Sequence, residues 1–437
     1  MLLPPDLRDW VSDDDLAHFI LEAVEGVDLS QARVNMRGSG SKQYPPGMML
    51  GVLIYCYATG VFSSRRIEQM TYRHLSVRYL AANEHPDHDT ICTFRRENGP
   101  LIKAAFTQVL KLAAALNLAK VGSVCIDGTK ILANAAKRRT FNEEGLLAQE
   151  KHVQSQIDAL LEEAEEADQS TTEKDGTQLP GELKGREQLK QQIRRAREQL
   201  AEQVQERAKE REQARKDWEK ERIGDRPRRL SSKPGNSDRI NLSDPQSALM
   251  PMAKGGYEQG YNAQLGVSAE LNAVIVAAEV NAQTNDRSQL LPMAKAVAAQ
   301  IPEFFQQAVV DTGYDNSRHI FEVEGTLGVE VICSPQRSPS QKNQKRSGGR
   351  CAIHRKNLQR LRAKQRAKAE SDEGKSWLRL RRMTVEPVFG LIKSVLGFRR
   401  FSLRGLEKVD LEWKLVAAAF NCRKLCHMRA KKQSAGA

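Results

Sequence analysis

From residue 141 to about 222 the chain is built almost wholly from Glu, Gln, Lys, Arg, Ala and Leu. Neither a sheet nor an ordinary globular core can be made from that material alone. Val153, Ile157, Leu160, Leu161 and Ala164 recur at helical spacing and form one apolar stripe. Leu189, Ile193, Ala196, Leu200 and Val204 form a second. Between the stripes, QSTTEKDGTQLPGELKG is turn chemistry. Two stripes joined by a turn predict a long antiparallel helical hairpin, each stripe covering the other and the charges forming a solvated face. The hairpin is therefore an insertion, and the segments on either side of it must build the core together.

Residues 1–118 read as an all-helical N-terminal domain. Pro45 and Pro46 stand where a helix start tolerates proline. MMLGVLIYCYATG then forms a buried body that Gly60 stops. Ser63 or Ser64 is placed to cap the next helix. Asp89 or Thr90 is placed to cap another, which carries Arg95 and Arg96. Pro100 opens a further one with apolar residues at helical spacing. Short helices with exposed arginines suit a helix-turn-helix-like DNA binder, with Arg95 and Arg96 as candidate DNA contacts. A plain helical bundle fits the same pattern. His85 and His88 flank a proline with no cysteine close by and read as a loop rather than a metal pair.

After Lys120 the period changes. VGSVCIDGTKILANAA is apolar on both faces, as a strand buried within a sheet is. Asp127 interrupts it, and a carboxylate there is costly to bury without a partner. Gly128 follows and removes a side chain beside it. Beyond a polar connector (224–251), YNAQLGVSA and AVIVAAEV read as a pair of strands turning at ELN. Asp286 is expected to cap the helix DRSQLLPMAKAVAAQ, and structural roles suffice for it and for Glu279. QQAVVDTGYDN repeats the earlier theme, a strand ending at Asp311. A helix near Asn316 and the strand GVEVICSP follow. The result is an α/β core made of residues 119–140 and 223–437. Glu407 to Met428 is a helix with an apolar stripe that should pack on it.

The charge balance points to a polyanion. The net charge is +13, which favours nucleic acid over a membrane as partner. Residues 336–370, within the core, hold twelve Lys or Arg and one acid. Such a tract is expected to be solvated alone and to neutralise phosphates without choosing sequence. Seven scattered cysteines are an odd number and suit a reducing cytoplasm rather than a disulfide framework. The opening MLLPPDLRDWVSDDD has acids and prolines where a signal peptide needs a basic and then an apolar run. Cys351 and His354 have metal-ligand spacing but no second pair nearby, and Cys422, Cys426 and His427 on the last helix read as core packing rather than a zinc site.

SWLRLRRMTVEPVFGLIKSVLGFRRF, Ser376 to Phe401, holds one carboxylate, Glu386, among basic residues. Arg382 lies one helical turn before it and Lys393 two turns after, so a helix would set all three on one face. Two strand aspartates, Asp127 and Asp311, with a helix glutamate can hold a pair of Mg²⁺ about 3.5–4 Å apart. Hard Mg²⁺ takes oxygen ligands, and phosphate and water complete its shell.

These residues resemble the DDE transposases of bacterial insertion sequences, in the group whose glutamate region reads Tyr-(2)-Arg-(3)-Glu-(6)-Lys. Arg382, Glu386 and Lys393 match the last three terms, and Arg379 stands at the tyrosine position. IDGTKILANA around Asp127 and VVDTGYDN around Asp311 resemble that group's two aspartate motifs. GYNAQ, LRGLEKVDLEW and YPPGMMLGVLIYCYATGVFSSRRIEQM are also similar to it. The resemblance implies an RNase H-like catalytic core and a site of Asp127, Asp311 and Glu386 that binds two Mg²⁺, with Mn²⁺ able to substitute. Arg382, Lys393 and Lys130 are then expected to position phosphate. The implied activity is cleavage at the terminal inverted repeats of the element and joining of the 3′ ends to target DNA. The implied assembly is a homo-oligomer, at least a dimer, on DNA in the bacterial cytoplasm. A silent or domesticated DNA-binding regulator, and a metal-dependent endonuclease without joining, are the rival readings.

Overall fold

The computed structural model describes residues 6–33, 43–116, 122–169, 179–223, 226–253, 255–269, 273–301, 305–334 and 352–436. The chain forms two compact units, one of residues 1–131 with 261–437 and one of residues 132–260.

Among the described residues the first unit opens with six α-helices: α1 (Leu16–Glu25), α2 (Pro46–Ala58), α3 (Ser64–Arg73), α4 (Leu75–Leu80), α5 (His88–Glu97) and α6 (Gly99–Ala115). Asp15 caps α1 through the Ala17 amide at 2.8 Å, and its other oxygen takes the Ser76 hydroxyl, tying α4 to α1. Every residue of α2 from Met49 to Ala58 is buried, so this helix is the centre of the helical layer. It stops at Gly60, whose φ of +81° suits glycine and whose absent side chain leaves room for the Leu396 carbonyl. The cap of α5 is Asp87, not Asp89 or Thr90: its carboxylate takes the Thr90 amide at 2.8 Å, and the helix starts at His88. After α6 comes the strand β1 (Ser123–Leu132).

The second unit is larger than the low-complexity stretch suggested. It starts with β2 (Thr140–Phe141), α7 (Glu143–Gln169) and α8 (Leu179–Glu221). β3 (Ile240–Asn241) pairs antiparallel with β2, and β4 (Ala248–Pro251) follows. Glu150 meets Arg194 and Arg197, and Lys190 meets Gln154, so α7 and α8 run antiparallel. Val153 and Ile157 pack with Ile193, Ala196, Leu200 and Val204, and Ile240 and Leu242 close one end of that seam. Leu161, read as part of the stripe, is exposed instead. The connector returns along the far half of α8. Arg226 pairs with Glu219 and lies over the Trp218 ring, and Asp238 pairs with Arg207.

The strand β5 (Tyr257–Ser268) starts in the second unit, paired with β4, and continues into the first. There it pairs antiparallel with β6 (Ile275–Asn281). Then come α9 (Leu290–Gln300), β7 (Gln307–Val310), α10 (Ser317–Thr326), β8 (Glu330–Cys333), α11 (Ala352–Glu370), α12 (Asp372–Gly390) and α13 (Leu406–Gly436). The sheet of the first unit is mixed, in the order β6-β5-β1-β7-β8. β7 is parallel to both of its neighbours. α13 packs on β6 and on α1, α2 and α6. Asn421 pairs its amide with both the Ile275 N–H and C=O, at 2.9 and 2.7 Å, which closes the free edge of β6. The helices expected to form a separate domain at 1–118 therefore share one unit with the sheet, because α13 is their common core. No helix among the described residues is long and apolar enough to cross a membrane.

Residues 336–351 of the basic tract, Cys351 among them, lie outside the described residues. The remainder is α11, in which Arg360, Arg362, Lys364 and Arg366 are exposed as expected while its last turns are tied to the neighbouring α10 and β8. Glu324 of α10 holds Lys364 at 3.6 Å and Lys368 at 2.7 Å, and Lys368 also reaches Glu330 at 3.1 Å.

Candidate active site

β1 and β7 pair in parallel with Cys125 opposite Val309. Continuing that register by two residues reaches Asp127, in the middle of β1, and Asp311, just past the end of β7, so it sets these acids side by side. Asp311 begins the 3₁₀ turn Thr312–Tyr314, its Oδ1 taking the Gly313 amide at 2.8 Å. Asp127 Oδ1 takes the Gly128 amide at 2.8 Å. Its Oδ2 takes Nη1 of Arg381, also at 2.8 Å. Burial, and then the neighbouring Asp311 charge, push the Asp127 carboxyl up to about 6 although Arg381 pulls it down.

Glu386 lies on α12, which packs over β7 and β8. Its carboxylate is exposed and lies 3.8 Å from Nη2 of Arg381. One guanidinium thus touches the acid of β1 and faces the acid of α12. Arg382 stays exposed on the same helix. Lys393 departs from the expected single face. α12 carries Pro387 and ends at Gly390, and a π-turn runs from Leu391 to Val395. That wider turn rephases the chain. Lys393 Nζ reaches Thr129 Oγ1 at 2.5 Å and the Lys130 carbonyl at 2.9 Å, gripping β1 just beyond Asp127. Burial lowers the pKa of both Lys130 and Lys393.

Arg95, expected to face DNA with Arg96, is buried. It donates to the Tyr57 hydroxyl at 2.8 Å and the Phe62 carbonyl at 2.9 Å, 4.0 Å from Glu412. A guanidinium so placed is not presented to a phosphate. Arg96 remains exposed on α5.

Two stretches of the chain match families of known proteins. Residues 5–97 match a family described as Transposase domain (DUF772). Residues 333–426 match one described as Transposase DDE domain. Together they indicate an insertion-sequence DDE transposase. The chain has no match among curated proteins or solved structures. The second match takes in α12 with Arg381, Glu386 and Lys393. The first takes in α1 to α5. Asp127 and Asp311 fall outside both and are joined to the matched helix by the fold alone.

The donors of this site are carboxylate oxygens, which suit a hard divalent ion. Burial raises the Asp127 carboxyl, and the like charge of Asp311 beside it is one that a cation would relieve. The chemistry of the set therefore fits such an ion. Among the described residues, however, no three acids, histidines or cysteines converge on one point. Arg381 stands between Asp127 and Glu386.

Two features of this candidate site escaped the sequence. Arg381 shares the buried side of α12 with Thr384, Val385 and Val388. A cation on an apolar stripe requires a buried acid, and that was the available signal. Asp286 is the other. It does not cap α9, which begins at Leu290 without a side-chain cap. Its Oδ1 instead takes Asn262 and Gln264 amides at 2.6 Å each, with Lys130 3.9 Å away. The Tyr314 hydroxyl donates to Gln264. Asn262 and Gln264 alternate on one face of β5, where buried amides need a partner.

Proposed function

We propose that this transposase cleaves phosphodiester bonds at the terminal inverted repeats of its own element and joins the 3′ ends to target DNA. The observation that carries the reading is the β1–β7 register, which sets Asp127 beside Asp311, with Glu386 drawn toward them across Arg381. The strand order β6-β5-β1-β7-β8 supports an RNase H-like core. In chain order within this unit that is third, second, first, fourth, fifth. Arg382, Glu386 and Lys393 keep three of the four terms of the Tyr-(2)-Arg-(3)-Glu-(6)-Lys region.

Asp127, Asp311 and Glu386 are the residues that would hold Mg²⁺ or Mn²⁺. When bound, such ions supply an activated water or 3′-hydroxyl and neutralise charge at the leaving oxygen. The protein's own residues do the rest. Lys393 and Lys130 hold two cations at the end of β1, suited to a backbone phosphate. Exposed Arg382 and Arg379 extend that positive edge along α12. Arg96 and the part of α11 not bound by Glu324 offer further phosphate contacts, giving affinity rather than sequence choice. Two ends must be cut and joined together, so the working form is a multimer of at least two chains on DNA.

The test uses the full chain, Mg²⁺ and labelled DNA taken from the two flanks of its gene. Cleavage at the repeat ends and joined products are expected. Cleavage without joined products would mean an endonuclease. Binding without either would mean a regulator.

A further inference from the structure

The geometry points to Arg381 as the resident counter-cation of the acid site. It neutralises Asp127 and tethers Glu386 while no divalent ion is bound, and it must leave Asp127 before an ion can be held there. This rests on the reading of Asp127, Asp311 and Glu386 as the ion-binding acids.

In the structure, both Asp127 oxygens and one Asp311 oxygen already accept a hydrogen bond, and the one on Asp127 Oδ2 comes from a full positive charge. Asp127 Oδ1 holds the Gly128 amide and Asp311 Oδ1 the Gly313 amide. Arg381 Nη1 holds Asp127 Oδ2 at 2.8 Å. A divalent ion on Asp127 would meet that guanidinium at close range, where little water screens them. Arginine cannot yield by losing its proton. It can only move. Its route is marked by Glu386, 3.8 Å from Nη2 and on the solvent side of the pair. Arg381 itself is only 7% exposed, so in its present place it is a charge the site was built around. It is a positioning residue: it keeps two repelling aspartates folded side by side, and its departure couples ion binding to the placement of α12. A simple clamp between α12 and the sheet makes the opposite forecast, because loosening a clamp would disorder Glu386 and weaken ion binding.

The experiment measures Mn²⁺ binding to the full chain at pH 8 by electron paramagnetic resonance of the free ion. It is paired with thermal unfolding with and without Mn²⁺. Arg381→Gln is expected to bind Mn²⁺ about tenfold tighter than the parent. Without metal its unfolding midpoint should be lower, and saturating Mn²⁺ should close that gap. Arg381→Lys, which keeps the charge, should stay near the parent affinity. If Arg381→Gln does not fold, arginine side-chain nuclear magnetic resonance of the parent protein serves: the Arg381 signal must shift when Mg²⁺ saturates the site. Unchanged or weaker Mn²⁺ binding in a folded Arg381→Gln, or an Arg381 signal indifferent to bound Mg²⁺, overturns the proposal. If the parent's Mn²⁺ binding survives Asp127→Asn with Asp311→Asn, the site reading falls and takes this proposal with it, a result distinct from a failure of Arg381 alone.

Discussion

Arg95 and Arg381 are almost equally buried, 4% and 7% exposed, and each faces a carboxylate brought from far along the chain. Around Arg95 the network is nearly complete. Glu412 accepts the Tyr57 hydroxyl at 3.0 Å on one oxygen, and the Ser402 and Leu403 amides at 2.8 and 3.0 Å on the other. Among the polar atoms of Arg95, the Nε has no partner. Around Arg381 the network is open on one side. Asp127 is raised to about 6, the Glu386 contact is long, and Glu386 itself is 57% exposed. The same two residue types thus make a closed strut in one place and an unfinished site in the other. A satisfied polar network has no capacity for a ligand, whereas one short of positive charge does.

The largest expected effect breaks the open side. Asp127→Asn, Asp311→Asn and Glu386→Gln should each reduce end cleavage by more than about a thousandfold, with double variants hardly worse, since groups acting as a unit lose non-additively. Cleavage gels with matched circular dichroism check this. Robust cleavage by Glu386→Gln would remove that residue from the site. The closed side should respond in stability instead. Arg95→Met strands a buried Glu412 and should cost about 3–5 kcal/mol in urea unfolding. An exposed role in DNA binding would instead leave stability intact and lower affinity.

The next effect separates the two networks by pH. The folded Asp127 carboxyl titrates near 6, above its ordinary value of 3.8. Between those values the folded state holds the proton more tightly than the unfolded state. Stability from this group is therefore full below about 4 and falls as pH rises through 6, by on the order of 3 kcal/mol. Urea midpoints in metal-free buffer should show Asp127→Asn gaining on the parent across that window. A constant difference would mean that Asp127 is not held short of charge.

Smaller again is Gly128→Ala. The added carbon would stand 2.1 Å from Gln264 Nε2 and 2.6 Å from Asp286 Oδ1. The cost should be about 1–3 kcal/mol, with a loss of cleavage because the displaced network lies beside Asp127. The smallest effect is expected in the second unit. Arg194→Ala removes a half-exposed partner of Glu150 and should cost under about 1 kcal/mol. A larger loss there would mean that the hairpin depends on its charges more than on its apolar seam.

Much of this was legible from residue order. The stripes of residues 153–157 and 189–204 dictated the hairpin, because such a composition can bury nothing but its own seam. The strands at Asp127 and Asp311 were readable because short apolar runs rich in β-branched residues, each ended by Asp and Gly, suit a buried strand better than a helix. What misled was exposure. Arg95 and Arg96 look alike in the chain, yet one turns inward and the other outward. Asp286 looked like a cap because it precedes a helix, but Asn262 and Gln264, more than twenty positions earlier, already claimed it.

The sequence by itself determined most element types and the insertion, and it singled out three acids with basic neighbours, since periodicity and residue chemistry are local properties. Only the tertiary structure decided which charges meet. The parallel register brings together Asp127 and Asp311, 184 positions apart, and the turn of α12 sends Arg381 rather than Arg382 into the gap. The physical reason is that a buried charge is tolerated only beside its partner, and partners are chosen by strand register and helix phase, which neighbouring residues in the chain do not encode.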